Sequence, residues 1–347
     1  MQNNLTQNNL AQNNLTENNL TQNNLAQNNI TENNLTQNNI TQNNITKNNL
    51  TENNLTQNNI TQNNITKNNL IINSNNSILT NGINIMPFYA NNGNVNIPFN
   101  LIHKYFSNIK TIRLEINPNY MNVTKIKNLI YNLFNNNFNV IVTYHDYLGS
   151  DNLNDLLNVA NWWKNNYNYI SSNFPLIINI CNEYGSHNLD YIHYSEFYNK
   201  AINIIRTIYT DWLIIDIPGY GQNTNVALQA SNFINDKKIV FSTHIYPMSW
   251  NNNQSRFMNT DDIDNLLNTN RPIIIGEFGT GEGNTDVNKI LLYAKSKRIS
   301  LLLWGAGDGT SEPYNMELFK PSWYINPLHD NYNYTTYFIT YYSKYLI

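Results

Sequence analysis

Two carboxylates are set where they could act on a substrate. Glu183 closes the run Leu176-Ile-Ile-Asn-Ile-Cys-Asn-Glu183, and Glu277 closes Pro272-Ile-Ile-Ile-Gly-Glu277. A parallel strand buried on both faces reads as a continuous apolar run. Each acid would therefore stand just past the C-terminal end of such a strand. In a closed barrel of parallel strands, that end is the mouth where reactive groups gather. Two acids at one mouth are the minimal kit for cleaving a glycosidic bond: one protonates the leaving oxygen, the other attacks the carbon or activates water. An acid after Ile-Ile-Ile-Gly has no structural use without a partner.

Other apolar runs end in groups that handle charge, protons or flat apolar faces. They are Arg113, His145-Asp146, Asn182 beside Glu183, His244-Ile-Tyr246 and Trp304. Each has a plainer use when read alone. Arg113 could be an ion-pair residue inside the barrel, either histidine a satisfied structural group, and Trp304 part of the core. Six of eight runs ending this way is hard to obtain by chance. Asp146, Trp162, Trp163, Trp250 and Asp308 are weaker candidates. The Trp162-Trp163 pair falls in a helical stretch and reads as packing, whereas Trp250 lies in a loop where it could offer a distal sugar platform.

The elements that must position these groups alternate along the chain. Apolar runs occur at 83–89, 111–116, 140–144, 176–180, 213–217, 239–242, 273–275 and 300–303. Amphipathic stretches at 123–136, 152–170, 193–208 and 285–297 read as helices between them. This rhythm predicts a (β/α)8 TIM barrel over residues 73–347. A doubly wound open sheet is the alternative, but it would carry a Gly-rich phosphate turn after its first strand, and none is present.

As a set, these motifs resemble glycoside hydrolase family 5, a retaining family of barrel glycanases. That family's pattern is an Arg on strand two, His on strand three, Asn-Glu on strand four, His-x-Tyr on strand six, Glu on strand seven and Trp on strand eight. Arg113, His145, Asn182-Glu183, His244-Ile-Tyr246, Glu277 and Trp304 follow it in order. Local stretches are most similar to bacterial-type endo-β-1,4-mannanases: Val142-Thr-Tyr-His-Asp146, Trp162-Trp163, Gly219-Tyr-Gly-Gln222, Phe241-Ser-Thr-His-Ile-Tyr246, Ile275-Gly-Glu-Phe-Gly279 and Leu303-Trp-Gly305. The resemblance covers roughly residues 80–325. It implies double displacement, with Glu183 as acid/base and Glu277 as nucleophile. Arg113 and Tyr246 would orient Glu277, Asn182 would meet the sugar 2-hydroxyl, the two histidines would line the subsite and Trp304 would floor it. No metal or organic cofactor is implied. The substrate would be a β-linked polysaccharide, mannan first and cellulose or another β-glucan second. A non-catalytic carbohydrate-binding surface protein on the same barrel is the competing class. The chain departs from the family at Tyr184, where Pro usually follows Asn-Glu, and at Cys181, where Gly is common. The first departure predicts a shifted loop with the acid retained.

Residues 1–72 form a separate segment. A five-residue repeat, Asn-Asn-[Leu/Ile]-[Thr/Ala]-[Gln/Glu/Lys], places its apolar residue at Leu5, Leu10, Leu15 and onward to Ile65 and Leu70. Period five makes no continuous stripe on an α-helix and alternates faces on a strand. It suits a four-sided coil and resembles the pentapeptide-repeat family, whose β-helix turns its central Leu or Phe inward. This chain has Asn where that family prefers Ala two residues earlier. An Asn-rich, disordered low-complexity tail is the other reading. The segment would act as a spacer, anchor or self-association stalk.

A net charge of −3 with 12% charged residues and no basic patch argues against a nucleic-acid partner. The single cysteine, Cys181, excludes an internal disulfide. No run is apolar for long enough to span a membrane. The N-terminal residues lack a basic region followed by an apolar one, so no conventional export signal is read. Cytoplasmic residence, non-classical release and packaging into a particle all stay open.

Overall fold

The structure is a computed structural model, and it describes residues 79–172, 174–279, 281–306, 316–323 and 325–347. The readings made for the repeat segment and for Asp308 fall outside those residues. Eight parallel strands close into one barrel: β1 Gly82–Ile85, β2 Thr111–Ile116, β3 Asn139–Tyr144, β4 Ile177–Asn179, β5 Leu213–Asp216, β6 Ile239–Ile245, β7 Ile273–Phe278 and β8 Ser300–Ala306. Neighbours in sequence are neighbours in the barrel, and β8 pairs with β1 to close it. A helix follows each strand: α1 Phe99–Tyr105, α2 Val123–Asn135, α3 Leu153–Ser171, α4 Tyr191–Ile205, α5 Thr224–Ala230, α6 Thr260–Leu267, α7 Val287–Ser296 and α8 Thr336–Tyr341. The fold is the (β/α)8 barrel that the alternation predicted.

Helix starts are written locally. The side chains of Asn122, Asp190 and Asp286 accept backbone N–H groups at the first turns of α2, α4 and α7. Asn259 and Asp262 form a reciprocal capping box on α6. One strand differs from expectation. The first run was read through Tyr89, but β1 ends at Ile85 and Pro87–Tyr89 forms a 3₁₀ turn. Pro87 lacks the N–H a strand would use, and its fixed φ suits the start of a turn.

Strand alternation divides the core into two layers. Outward residues such as Ile112, Leu114, Val140, Val142, Phe241, Ile273 and Leu303 pack under the helices. Inward residues Ile141, Ile177, Ile214, Val240, Ile274 and Leu302 fill the lower barrel. Two residues further along β3, β4, β5 and β6, towards the mouth, the inward positions turn polar: Thr143, Asn179, Asp216 and Ser242, all fully buried. The barrel is therefore an apolar plug beneath a polar floor.

Candidate active site

Arg113 is the centre of that floor. It lies on β2 with no solvent exposure. Nε donates to Asn179 Oδ1 at 2.9 Å. Nη1 reaches Asn84 Oδ1 at 2.9 Å, Glu115 Oε1 at 2.5 Å and Glu277 Oε2 at 2.8 Å. Nη2 reaches Asn182 Oδ1 at 2.7 Å and Asp216 Oδ2 at 3.3 Å. A planar guanidinium with five donors is the one side chain that can tie five strands and the end of β4 together in this way. Burial opposes its charge, but Glu115, Asp216 and Glu277 more than restore it and hold Arg113 protonated.

Glu277 reaches the mouth through a β-bulge. Ile274 points inward and Ile275 outward, so strict alternation would send Glu277 out towards the helices. Between Thr243 and His244 on β6, however, β7 advances from Ile275 to Glu277. Against β8, it advances from Ile275 to Phe278 while its partner moves from Leu301 to Leu303. The one extra residue, at Gly276, returns Glu277 to the interior and Phe278 to the outer layer, as bulges beside active sites do. A Cβ there would stand 2.2 Å from Ser242 Oγ, so glycine lets β7 pass close to that side chain.

Glu183 arrives differently. The chain leaves β4 at Asn179, and Glu183 sits in the following turn at φ +48°. Its N–H donates to Asp216 Oδ2 at 2.9 Å, and its carbonyl accepts from Gly149 N at 2.8 Å. Tyr184, where the family resemblance led us to look for a proline, is fully buried with its ring against Tyr198. Pulling Tyr184 into the outer layer leaves Glu183 turned to the mouth, its side chain 13% exposed. Cys181 is fully buried, its sulfur 3.4 Å from the carbonyl oxygen of Asp146.

The two carboxyl groups converge on His244. Its Nδ1 lies 2.8 Å from Glu183 Oε2 and 3.2 Å from Glu277 Oε1. One oxygen of Glu183 and one of Glu277 lie within 4.8 Å of each other. Tyr246 donates its hydroxyl to Glu277 Oε1 at 3.0 Å. Trp304 stands at the rim, its ring 6.5 Å from that of Tyr246 and 6.4 Å from that of His145. His145 is buried above Glu115, its Nε2 3.6 Å from Glu115 Oε2. Glu183, His244 and Glu277 are also the one grouping among the described residues whose ligand atoms could surround a metal ion.

The same chemical group has different surroundings in the two acids. Burial pushes Glu183 up to about 8, the charge of Asp216 adds to the rise, and Arg113 only partly opposes it. Burial also raises Glu277, but the Arg113 guanidinium beside it opposes the rise. Glu277 therefore ionises first and Glu183 keeps its proton, a division of labour between acid and nucleophile. His145 is lowered to about 3 by burial and by Arg113, and burial lowers His244 as well, so both rings are neutral near neutral pH.

All eight residues singled out from the sequence meet at this mouth or in its floor. The weaker candidates separate. Trp163 is fully buried in α3 and its indole N–H donates to Ile180 O at 2.9 Å, which anchors the end of β4. Trp162 packs beside it. Asp146 bonds Asn119 on the adjoining loop. Trp250 pairs with Phe257 in a short antiparallel ribbon after β6. Asn84, Glu115, Asn179 and Asp216 were not singled out. Their signal is a polar residue at the inward beat of an otherwise apolar run, as in Leu213-Ile-Ile-Asp-Ile217.

Comparison with known proteins agrees with this geometry. The profile of the cellulase family, glycosyl hydrolase family 5, matches residues 87–310. No curated protein matches the chain in sequence. Among solved structures, a β-mannanase from Streptomyces thermolilacinus with mannohexaose is similar at 20% identity and a TM-score of 0.55, covering 69% of this chain and 82% of that one. A β-mannanase from Thermomonospora fusca is similar at 19% identity and a TM-score of 0.55, with the same coverage. The catalytic domain of an endoglucanase from Thermobifida fusca, in complex with cellotetraose, is similar at 16% identity and a TM-score of 0.54, covering 70% and 83%.

Proposed function

The chain belongs to glycosyl hydrolase family 5 and carries a glycoside hydrolase domain, and from that premise we propose that it is a retaining endo-β-1,4-glycanase acting on mannan. Glu277 attacks the anomeric carbon as a carboxylate while Glu183 protonates the leaving oxygen. Water then enters, Glu183 takes its proton, and the glycosyl ester on Glu277 is released. The observation that carries this reading is the carboxylate pair. Its separation, within 4.8 Å between nearest oxygens, suits direct attack. An inverting site sets its two carboxyl groups about 6.5–9.5 Å apart with a water between them, whereas here the single nitrogen His244 Nδ1 reaches both acids.

The surroundings support the assigned roles. Arg113 and Tyr246 each hold one oxygen of Glu277, which fixes the attacking carboxylate and leaves it ionised. Asn182 gives its oxygen to Arg113, so its amide N–H₂ is the group left to meet a sugar hydroxyl. Trp304 offers an apolar face to the ring beside the scissile bond. The preference for mannan over β-glucan rests on the local similarity of Gly219-Tyr-Gly-Gln222 and Phe241-Ser-Thr-His-Ile-Tyr246 to bacterial mannanases. A β-1,4-glucan is the second reading, favoured by the endoglucanase among the similar structures.

The test is hydrolysis of β-mannan, carboxymethyl-cellulose and xylan by the wild type and by Glu277→Ala, read as new reducing ends. Release from mannan by the wild type alone is expected. Release from carboxymethyl-cellulose alone would replace the substrate and keep the mechanism. Equal release by Glu277→Ala would overturn the nucleophile.

A further inference from the structure

Asp216 lies one layer below the reacting pair, at the end of β5, with no exposure. Its Oδ2 accepts the backbone N–H of Glu183 at 2.9 Å and a guanidinium N–H of Arg113 at 3.3 Å. Its Oδ1 accepts from Asn179 Nδ2 at 3.2 Å, and its carbonyl from the Tyr194 hydroxyl on α4 at 2.7 Å. Oδ2 also faces His244 Nε2 at 3.5 Å. That nitrogen is buried and makes no hydrogen bond. His244 thus has an acidic oxygen on both sides, Glu183 and Glu277 at Nδ1 and Asp216 at Nε2. In either neutral tautomer one ring lone pair faces an acidic oxygen.

We propose that Asp216 is the positioning residue for the acid/base: it grips the peptide of Glu183 from below and faces the ring of His244 from behind. This rests on the assignment of Glu183 as proton donor. The grip matters because Glu183 sits in the left-handed region at φ +48°, a strained state for a residue with a side chain that its surroundings must hold. The charge matters too. The ionisable groups around Glu183 are Asp216 from β5, Arg113 and Glu115 from β2, His244 and Tyr246 from the end of β6 and Glu277 from β7, and those around Asp216 add His145 and Cys181 past β3 and β4 and Tyr194 and Tyr198 from α4. After burial itself, Asp216 is the largest cause of Glu183's raised affinity for its proton.

The test compares Asp216→Asn, which keeps the shape and loses the charge, with Asp216→Glu, which keeps the charge and moves the oxygens. Each is assayed on the polysaccharide that the wild type cleaves. Each is also assayed on the matching 2,4-dinitrophenyl β-glycoside with azide, a leaving group and a nucleophile that need neither acid nor base. For Asp216→Asn, kcat on polysaccharide should fall about 10–100-fold, and the alkaline limb of its pH profile should move down by about one unit. Turnover of the aryl glycoside with azide should stay within about 3-fold of the wild type. Asp216→Glu should lose polysaccharide rate while keeping the alkaline limb. An unmoved limb in Asp216→Asn, or equal loss on both substrates, would overturn the proposal, as would failure of both variants to fold by circular dichroism. Where only Asp216→Glu folds, an unchanged polysaccharide rate in it would do so. Glu183→Ala run alongside separates the two levels. If azide does not rescue it, the assignment of Glu183 fails. If azide does rescue it and Asp216→Asn matches the wild type, only the role of Asp216 fails.

Discussion

Glu183 and Glu277 show how environment makes two roles from one functional group. Glu277 has two donors fixed on it, and Glu183 has an anion beneath it. The alkaline limb of the pH–rate profile should therefore fall near pH 8, where Glu183 loses its proton. The acid limb should fall above the ordinary carboxylate range, because burial raises Glu277. A pH series of kcat/KM on the cleaved polysaccharide checks both. Glu277→Ala should lower kcat by about 10⁴-fold or more, and Glu183→Ala by about 10²–10⁴-fold. The same shift bears on stability. Glu183 binds its proton more tightly folded than unfolded, so its contribution is full at pH 4, fades as pH rises and is gone above about pH 8. Glu183→Gln, which cannot ionise, should be more stable than the wild type at pH 8, by roughly 2–4 kcal/mol. The two should melt alike at pH 4, and calorimetry at both values decides.

Single strands show what the sequence could and could not disclose. Thr111–Ile116 announces a strand by strict alternation and Leu213–Ile217 by a nearly continuous apolar run, and helix starts at Asn122 and Asp190 are marked by capping side chains. The end-of-strand residues were legible because function places polar groups where packing would not. Asp216 and Glu115 were harder to see, since an inward polar residue inside an apolar run makes sense only once Arg113 is known to face it. The bulge in β7 was hidden as well. Nothing in Ile-Ile-Ile-Gly-Glu says which strand gains a residue; that depends on register with β6 and β8. Gly276→Ala tests this element. Its Cβ would fall 2.2 Å from Ser242 Oγ, so unless that hydroxyl rotates aside the bulge shifts and Glu277 swings away. Activity should drop by about 10²-fold or more for a misplaced nucleophile. Ser242→Ala in the same chain should recover part of it, and a kinetic comparison of single and double variants reads the coupling.

For the whole chain, the barrel closes from β1 to β8 and the site is assembled from its own strand ends. We propose that residues 1–72 take no part in the chemistry. Deleting them should leave kcat/KM on soluble substrate within about 2-fold, while sedimentation shows whether the repeats drive self-association. A larger loss of activity in a folded barrel would refute this. Arg113 sets the opposite extreme, since it bonds Asn84, Glu115, Asn179, Asn182, Asp216 and Glu277 at once. Arg113→Lys keeps the charge but loses the fork, and should cost about 3–5 kcal/mol in denaturant titration, the usual penalty for breaking a buried ionic network.

That network also bears on what happens halfway through a turnover. When Glu277 becomes an ester it surrenders its negative charge, and a guanidinium facing that one acid would be stranded without a counter-ion inside the protein. Arg113 also touches Glu115 and Asp216. Asp216 stays against the guanidinium through the ester stage, so that the covalent intermediate forms without leaving a bare cation in the barrel.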